Sequence, residues 1–284
     1  MGDNKSNDFE YYRYNPSIGA AVLFVILFIA ATGIHTYQLV RTRTWYFIPF
    51  VIGGYFQWVG YIGRAISGHE SPNFSMGPYI QQTLLLLISP TLFAASIYME
   101  LGRIIRLTDG EEHSLVRTKW LTLTFVLGDV ISFLMQGWGG GVMSDDSGDS
   151  LKKGEHIIIG GLTVQLVFFT LFVITSLKFH LSIREHPTPR SQQPHIEWEK
   201  HIYALYGSSL LILVRSVFRL VEYAQGNAGY LVSHEVFLYI FDGLLMLATM
   251  VVFVWIHPSQ VNALLKGGQG AKAVRRVYSV YSMT

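Results

Sequence analysis

Four segments of the sequence each carry three polar side chains at helical spacing inside otherwise apolar stretches. Within each segment the outer two residues are seven positions apart and the third lies three or four positions from one of them, so the three share one face of a helix. The four sets are Gln57, Tyr61 and Arg64; Asp129, Ser132 and Gln136; Arg215, Arg219 and Glu222; and Glu235, Tyr239 and Asp242. Because an ionisable side chain costs about 2.5–3.5 kcal/mol at the centre of a membrane helix, these sets are candidates for a functional site.

The chemistry that these residues offer is recognition of a charged headgroup. Guanidinium groups can hold phosphate or carboxylate groups, or anchor the acidic side chains, and the carboxylates can meet an amine or relay a proton. The formal charge of the set is −1, which suits a cationic or zwitterionic headgroup; its charged members are Arg64, Arg215, Arg219, Asp129, Glu222, Glu235 and Asp242. The alternative is structural, since buried arginine–carboxylate pairs and other polar contacts can simply fix how helices pack.

The elements that would position these residues are apolar segments of the length needed to cross a membrane, which is about 20 residues for a helix. Hydrophobic residues make up 50% of the 284 positions and charged residues 14%, against about 25% charged in an ordinary globular domain. The sequence therefore predicts an all-α, polytopic membrane protein built as a bundle of seven transmembrane helices. The seven segments are Ser17–Val40, Trp45–Ile66, Tyr79–Leu101, Trp120–Trp138, Ile157–Leu177, Ile202–Val221 and Glu235–Ile256.

The basic residues predict the orientation of the bundle, because lysine and arginine concentrate in cytosolic connections. The connections on one side carry 14 of the 21 basic residues, and the stretches on the opposite side carry 4. We therefore predict an external tail at residues 1–16, a transmembrane domain at 17–257 and a cytosolic basic tail at 258–284. Two glycosylation sequons, at Asn4 and Asn73, both fall on the predicted external side.

With this orientation the polar sets converge on the outer half of the bundle, and the inner half is mostly apolar. Gln165 of the fifth segment also lies in an outer half. We predict a polar cavity there that binds the headgroup of a substrate. The predicted substrate-binding residues are Gln57, Tyr61, Arg64, Asp129, Gln136, Gln165, Arg215, Arg219, Glu222, Glu235, Tyr239 and Asp242.

Several classes of chemistry are excluded or weakened by what the sequence lacks. The absence of cysteine excludes disulfides, thiolate catalysis and cysteine-ligated metals. There is no P-loop, no HExxH motif and no lysine well inside a segment. A net charge of +2 argues against nucleic acid as a partner. We expect no cofactor, no metal and no catalytic residues; an intramembrane enzyme would need a clustered catalytic set around Asp129.

Seven short stretches, taken in order, carry a resemblance to a known family. They are Gly60-Tyr61-Ile62-Gly63-Arg64; Pro90 with Ala95-Ser96-Ile97-Tyr98; Gly128-Asp129-Val130-Ile131-Ser132 with Gln136; Gly161 with Gln165; Arg215-Ser216-Val217-Phe218-Arg219 with Glu222; Glu235 with Tyr239 and Asp242; and His257-Pro258. In this order the chain resembles the fungal RTA1-like family of lipid-translocating exporters over nearly its whole length. Members of that family often carry a glutamate where this chain has Gln57.

The resemblance implies a seven-helix fungal membrane protein that exports amphipathic lipids or moves them across the bilayer. Sphingoid long-chain bases and sterol-like amines are the substrate classes that it implies, and some relatives handle tetrapyrroles. We therefore expect a transporter whose partners are membrane lipids and an amphipathic small molecule, in the plasma membrane or an endomembrane. The alternative is a receptor-like lipid sensor that binds without transport and contacts a cytosolic partner through Gly102–Lys119 or Lys178–His201.

Overall fold

The computed structural model describes residues 12, 14–143, 148–193, 196–226 and 229–266. Within these ranges the regular elements are helices, and no strand occurs. A short helix, α8 (Ser259–Leu265), follows the last long one, and 3-10 turns form at Trp45–Phe47 and Glu111–His113. The long helices are α1 (Ile18–Thr42), α2 (Ile48–His69), α3 (Met76–Leu107), α4 (Thr118–Met143), α5 (Gly148–Glu185), α6 (Trp198–Ala224) and α7 (Glu235–Trp255).

The length and apolarity of these helices identify a polytopic helical membrane protein. Among the described residues, six helices are long and apolar enough to cross a membrane: α1, α3, α4, α5, α6 and α7. Helix α2 has 22 residues, but its mean hydropathy is too low for it to be counted among them. Five glycines together with Gln57 and Arg64 occupy positions where the other helices carry aliphatic side chains. A seventh crossing and the orientation of the termini stay predictions.

The helices close into a ring in which α3 lies between α2 and α4 and also contacts α6. Helix α2 packs between α1 and α3, α4 packs along α5, and α6 contacts α3, α5 and α7. Helix α1 also packs on α7, which completes the ring. We call the end at which α1 and α7 begin the amino end; there the backbone N–H of Ser17 donates to the Glu235 carboxylate over 2.8 Å. The opposite end is the carboxyl end, and the predicted external side corresponds to the amino end.

The helices extend beyond the apolar segments that predict them. Helix α3 continues past Leu101 to Leu107, and α5 continues past Leu177 to Glu185. Hydropathy marks only the part of a helix that suits lipid tails, whereas the backbone hydrogen bonds continue into the interface. The short helix α8 lies within residues 258–284, the stretch predicted as a cytosolic tail.

The two predicted glycosylation sequons lie in different parts of the chain. Asn4 lies outside the described residues, as do residues 267–284 of the predicted tail. Asn73 is exposed in the connection between α2 and α3, at the amino end. In the same connection the hydroxyl and the backbone N–H of Ser75 donate to the Glu70 carboxylate over 2.6 and 3.0 Å, and these hydrogen bonds lower the pKa of Glu70.

Helix α7 contains a π turn at Tyr239–Leu244, which holds the buried residues Asp242 and Gly243. A β-carbon at Gly243 would lie 2.6 Å from the hydroxyl oxygen of Tyr61 and 2.6 Å from the ring of Phe24. Glycine is therefore needed for α1 and α2 to approach α7 this closely. Turns of this kind occur frequently at functional sites.

Close packing of α2 against α3 also depends on a glycine. The hydroxyl of Ser89 donates to the carbonyl oxygen of Gly53 over 2.8 Å. A β-carbon at Gly53 would lie 2.7 Å from the ring of Phe93 and 3.0 Å from the carbonyl oxygen of Ser89. Small residues at such contacts let two membrane helices come close enough to share backbone hydrogen bonds.

We expect Gly53→Leu to destabilise the protein by about 1–3 kcal/mol, because the larger side chain must push α2 away from α3. The measurement is the midpoint of thermal unfolding in detergent. Gly33→Leu in α1 is the matched control, since a β-carbon there meets no atom within 4 Å, and it should leave the midpoint unchanged. Equal midpoints for the two variants would contradict this packing.

Candidate functional site

Asp242 of α7 lies between two arginines of α6. Arg215 donates through Nε to Oδ1 of Asp242, and Arg219 donates through Nη2 to Oδ2 over 2.5 Å. Arg219 also donates through Nη1 to Oε2 of Glu222 over 2.8 Å. Asp242 and Arg215 are buried, so these charges compensate one another away from solvent. Removing one partner of such a pair would leave a buried charge uncompensated.

Arg215 makes a second contact, which the proline of α3 prepares. Pro90 has no N–H, so the carbonyl of Leu86, four residues earlier, lacks its usual partner within the helix. Arg215 donates through Nη2 to that carbonyl oxygen over 2.9 Å. The guanidinium therefore ties α6 to both α3 and α7, and it satisfies a backbone group that the proline leaves unpaired.

Arg64 of α2 is the centre of a second ion pair, at the amino end. Its Nη2 donates to Oε1 of Glu235 over 2.7 Å and to the Tyr14 hydroxyl over 2.8 Å. Its Nε donates to the Tyr239 hydroxyl over 3.0 Å. The backbone N–H of Ser17 donates to the same carboxylate of Glu235. Helices α2 and α7 and the segment before α1 therefore meet at one buried arginine.

A cavity of about 400 Å³ lies at the amino end among α3, α4, α5 and α6. Its volume falls within the range typical of small-molecule sites. Its charged, amide and hydroxyl lining comprises Arg64, Gln82, Thr83, Gln136, Glu155, Arg219 and Glu222, besides tyrosines. Aromatic and aliphatic side chains form the rest, among them Tyr12, Tyr14, Tyr79, Tyr223, Ile80, Leu84, Leu87, Ile158 and Leu238. The wall is therefore amphipathic.

The segment before α1 forms part of this wall. The hydroxyl of Tyr12 donates to Oε1 of Gln82 over 2.8 Å. The ring of Tyr12 packs against Phe74 and Tyr79, with ring centroids 4.9 and 5.5 Å away. This burial raises the pKa of the Tyr12 hydroxyl, which stays a neutral hydrogen-bond donor. Tyr12 thereby joins the segment before α1 to the beginning of α3.

Eight of the predicted substrate-binding residues meet near the amino end. Four of them line the cavity, namely Arg64, Gln136, Arg219 and Glu222. The other four do not line the cavity: Glu235 and Tyr239 accept hydrogen bonds from Arg64, and Asp242 accepts from Arg215 and Arg219. The sequence places each set on one helix face, and the structure shows how these faces pair with one another.

Gln165 belongs to the contact between α4 and α5, next to the cavity. Nε2 of Gln136 donates to the Ser132 hydroxyl over 2.7 Å and to Oε1 of Gln165 over 3.3 Å. The Ser132 hydroxyl in turn donates to the carbonyl oxygen of Gly161 over 2.7 Å. Gln136 therefore has both a packing role and a face on the cavity, whereas Gln165 holds it in place.

The remaining three predicted residues lie apart from the cavity. The Tyr98 hydroxyl donates to Oδ2 of Asp129 over 3.0 Å, between α3 and α4. Gln57 and Tyr61 of α2 are fully buried, and the side-chain amide of Gln57 has no hydrogen-bond partner among the described residues. A direct contact of these residues with substrate stays a prediction from sequence.

Several cavity residues have no periodic signal in the sequence. Tyr12 and Tyr14 belong to the stretch predicted as a tail, and their tyrosine-rich context is the one feature that could have indicated them. Glu155 falls in a predicted connection, whereas the structure places it in the first turns of α5. Tyr79 and Tyr223 are single aromatic residues near helix ends, where tyrosine is common in any membrane helix.

The inner half of the bundle is less apolar than predicted. Glu100, His201 and His257 are buried at the carboxyl end, together with His35 of α1. Glu100, His201 and His257 lie at or just beyond the ends of the predicted apolar segments. At such positions hydropathy does not distinguish a buried residue from an exposed residue of a connection. Their burial follows from the packing of α3, α6 and α8 against one another.

The fold and the cavity define a polytopic helical membrane protein with an amphipathic site at one end of its bundle. Residues 50–264 match the family model described as RTA1-like protein, and the chain belongs to this RTA1-like family. No solved structure matches the chain.

Three relatives from Saccharomyces cerevisiae illustrate the family. The chain is 37% identical to Protein RTA1 over 276 residues, which cover 88% of this chain and 85% of that protein. It is 35% identical to protoporphyrin uptake protein 1, with coverage of 86% and 91%. It is 26% identical to the sphingoid long-chain base transporter RSB1, with coverage of 86% and 72%. The last two names associate the family with membrane transport of lipid-like substrates rather than with catalysis.

We expect Asp242→Asn to destabilise the protein by about 3–5 kcal/mol, because the amide keeps the shape of the side chain but removes the charge opposite Arg215 and Arg219. Denaturant or thermal unfolding of the purified protein in detergent measures the loss. Glu112→Gln, at an exposed position between α3 and α4, is the control and should change stability by less than about 0.5 kcal/mol. An equally small loss at Asp242 would contradict the role of this carboxylate.

Proposed function

We propose that the protein moves amphipathic lipids across the membrane and binds their headgroups in the cavity at the amino end. The observation that carries this proposal is the composition of the cavity wall, in which charged and amide groups adjoin aliphatic side chains such as Leu84 and Leu87. A headgroup needs polar partners and an acyl chain needs apolar ones, so an amphiphile suits both parts of the wall at once. Membership of the RTA1-like family supports the same substrate class.

The charges of the wall and of the ion pairs behind it, taken together, favour a cationic or zwitterionic headgroup. The three arginines of the amino end are paired with three carboxylates, which leaves no net charge in that network; the pairs join Arg64 to Glu235, Arg215 and Arg219 to Asp242, and Arg219 to Glu222. Glu155 brings one further carboxylate to the wall. In this proposal the arginines hold the acidic side chains in place, and the cavity attracts the amine of a lipid such as a long-chain base.

The proposal includes seven crossings with the amino end outside. Helix α2 has 22 residues. At 1.5 Å per residue it is roughly 33 Å long, which matches a hydrocarbon core of about 30 Å. Basic residues number 14 on the carboxyl-end side and 4 on the other, and this asymmetry supports a cytosolic carboxyl end. The plasma membrane or an endomembrane would then hold the protein.

Filling the cavity should stop transport. Gly137 of α4 lines the cavity next to Gln136, and a β-carbon there would meet no atom within 4 Å, so Gly137→Leu adds bulk at the cavity wall without a clash. We expect this variant to fold and to lose at least about 90% of the flux of a labelled long-chain base in proteoliposomes, because bulk in a binding site excludes its ligand.

The matched control is Gly207→Leu in α6, which makes the same substitution in open space away from the cavity and should keep the flux. The proposal fails if wild-type vesicles behave like empty ones. Saturable binding of the labelled base without flux would instead support the lipid-sensing alternative, with a partner at Gly102–Lys119 or Lys178–His201. Equal flux in both leucine variants would remove the cavity from the transport route.

A further inference from the structure

The carboxyl end of the bundle contains a buried acid–histidine pair that the proposed binding of a headgroup does not use. Glu100 of α3 is 1% exposed, and His201 of α6 is 4% exposed. Nδ1 of His201 lies 3.6 Å from Oε1 of Glu100. The hydroxyl of Tyr46, from the 3-10 turn before α2, donates to Oε2 of the same carboxyl group over 2.5 Å.

The hydrogen bonds of His201 determine what its Nδ1 can do. Nε2 of His201 lies 3.3 Å from Oε1 of Gln260, and in the tautomer that donates to this oxygen the ring carries its proton on Nε2. A neutral ring then presents the lone pair of Nδ1 to Oε1 of Glu100, an atom that has no hydrogen-bond partner among the described residues. When one proton is added to either Nδ1 of His201 or Oε1 of Glu100, that atom becomes a donor and the other can accept a hydrogen bond from it.

Tyr46 connects the charge of Glu100 to the corner between α7 and α8. Its hydroxyl has one proton and two acceptors within reach, Oε2 of Glu100 at 2.5 Å and the carbonyl oxygen of Pro258 at 3.1 Å. A charged carboxylate is the stronger acceptor and keeps the proton of Tyr46. When the carboxyl group is neutralised, Oε2 becomes a weaker acceptor and the hydroxyl can turn to Pro258.

We propose that Glu100 and His201 form a proton-binding site at the carboxyl end, and that the bound proton fastens α8 and the corner before it onto α3 and α6. The site takes up a single proton between Oε1 of Glu100 and Nδ1 of His201, and Tyr46 transmits this change to Pro258. The proton-binding site itself is argued from its geometry alone. Only the further idea that proton binding drives lipid movement rests on the proposed function.

Other charged and titratable groups near this site keep partners of their own. The guanidinium of Arg103 lies 3.7 Å from the ring centroid of Tyr46 and donates to Oδ1 of Asn262 over 3.2 Å, so it holds α8 whether or not the proton is bound. Lys200 precedes His201 on the surface of α6. His257 accepts the backbone N–H of Ser259 through Nδ1 over 3.2 Å, and Nε2 of His35 lies 2.9 Å from the carbonyl oxygen of Met250.

A single cysteine can report whether α8 is fastened, because the chain has no cysteine of its own. Val261 of α8 is fully buried, so Val261→Cys should react with a membrane-impermeant thiol reagent only when α8 moves away. Leu115→Cys, at an exposed position between α3 and α4, corrects for the pH dependence of thiol reactivity. The quantity to compare is the ratio of the two labelling rates, in nanodiscs without substrate, from about pH 5 to about pH 9.

We expect this ratio to rise about tenfold from low to high pH in the otherwise unchanged protein, a change within the range expected for one hydrogen bond, here the bond from Tyr46 to Pro258. Glu100→Gln, which keeps the shape of the side chain and cannot ionise, should hold the ratio at its low-pH value throughout. Tyr46→Phe removes the connection to Pro258 and should give a high ratio at every pH. Glu112→Gln is the matched control and should keep the full pH dependence.

A ratio that does not change with pH in the parent protein, or an unchanged pH dependence in Glu100→Gln, would overturn the proposal. If Glu100→Gln does not fold, Tyr46→Phe decides: the proposal fails if its ratio follows pH as in the parent. The readout needs no lipid, so its result is independent of the transport assay. If lipid flux is absent but the labelling ratio still depends on pH, only the proposed function is overturned. If lipid flux is present but the labelling ratio does not depend on pH, only the proton-binding site is overturned.

Discussion

Charge that is buried in an apolar bundle has to be compensated inside the protein, and the carboxylate of Asp242 does this for two arginines at once. Arg215 extends the same compensation to a third helix, because it donates to the carbonyl that Pro90 leaves without a partner. The positions of α3, α6 and α7 relative to one another therefore depend on a single group of hydrogen bonds. Without the carboxylate, Arg219 would keep Glu222 as its partner, whereas the buried guanidinium of Arg215 would lose its counter-charge, which is very unfavourable.

The π turn of α7 makes it possible for one helix to serve two separate arginine groups. In a regular α-helix, Glu235 and Asp242 would point in nearly the same direction, because seven residues make almost two full turns. The π turn, which contains Asp242, is wider than an α-helical turn and therefore changes the angle between these two side chains. Glu235 consequently pairs with Arg64 of α2, whereas Asp242 pairs with the arginines of α6. Gly243 then permits the close approach of Tyr61.

The pairing of the arginines also shapes the cavity beside them. Arg64 and Arg219 hold carboxylates with part of each guanidinium, and both residues also line the cavity. The same bonds draw the segment before α1 over the amino end through Tyr14 and Ser17. The same arginine–carboxylate contacts therefore stabilise the bundle and form part of the cavity wall. A substitution in these contacts would change both the stability and the wall.

The apolar segments were visible in the sequence because membrane helices must satisfy their backbone hydrogen bonds locally, which gives long hydrophobic runs. Helical spacing also placed Arg215, Arg219 and Glu222 on one face, since that spacing is a property of the helix alone. These two local regularities gave the helical class and most of the charged residues near the cavity.

Pairing between helices is not local, and the sequence could not supply it. Spacing does not show that Arg215 meets a carbonyl of α3, that a π turn redirects Asp242, or that Asp129 meets Tyr98 away from the cavity. Hydropathy measures the chain one segment at a time, so it did not show that Glu100, at the end of the third apolar segment, and His201, in a predicted connection, are buried. Their burial arises only when α3, α6 and α8 pack together. The sequence by itself determined the helices and their polar faces, and the tertiary structure decided which charges compensate which, because that choice depends on distances between residues far apart in the chain.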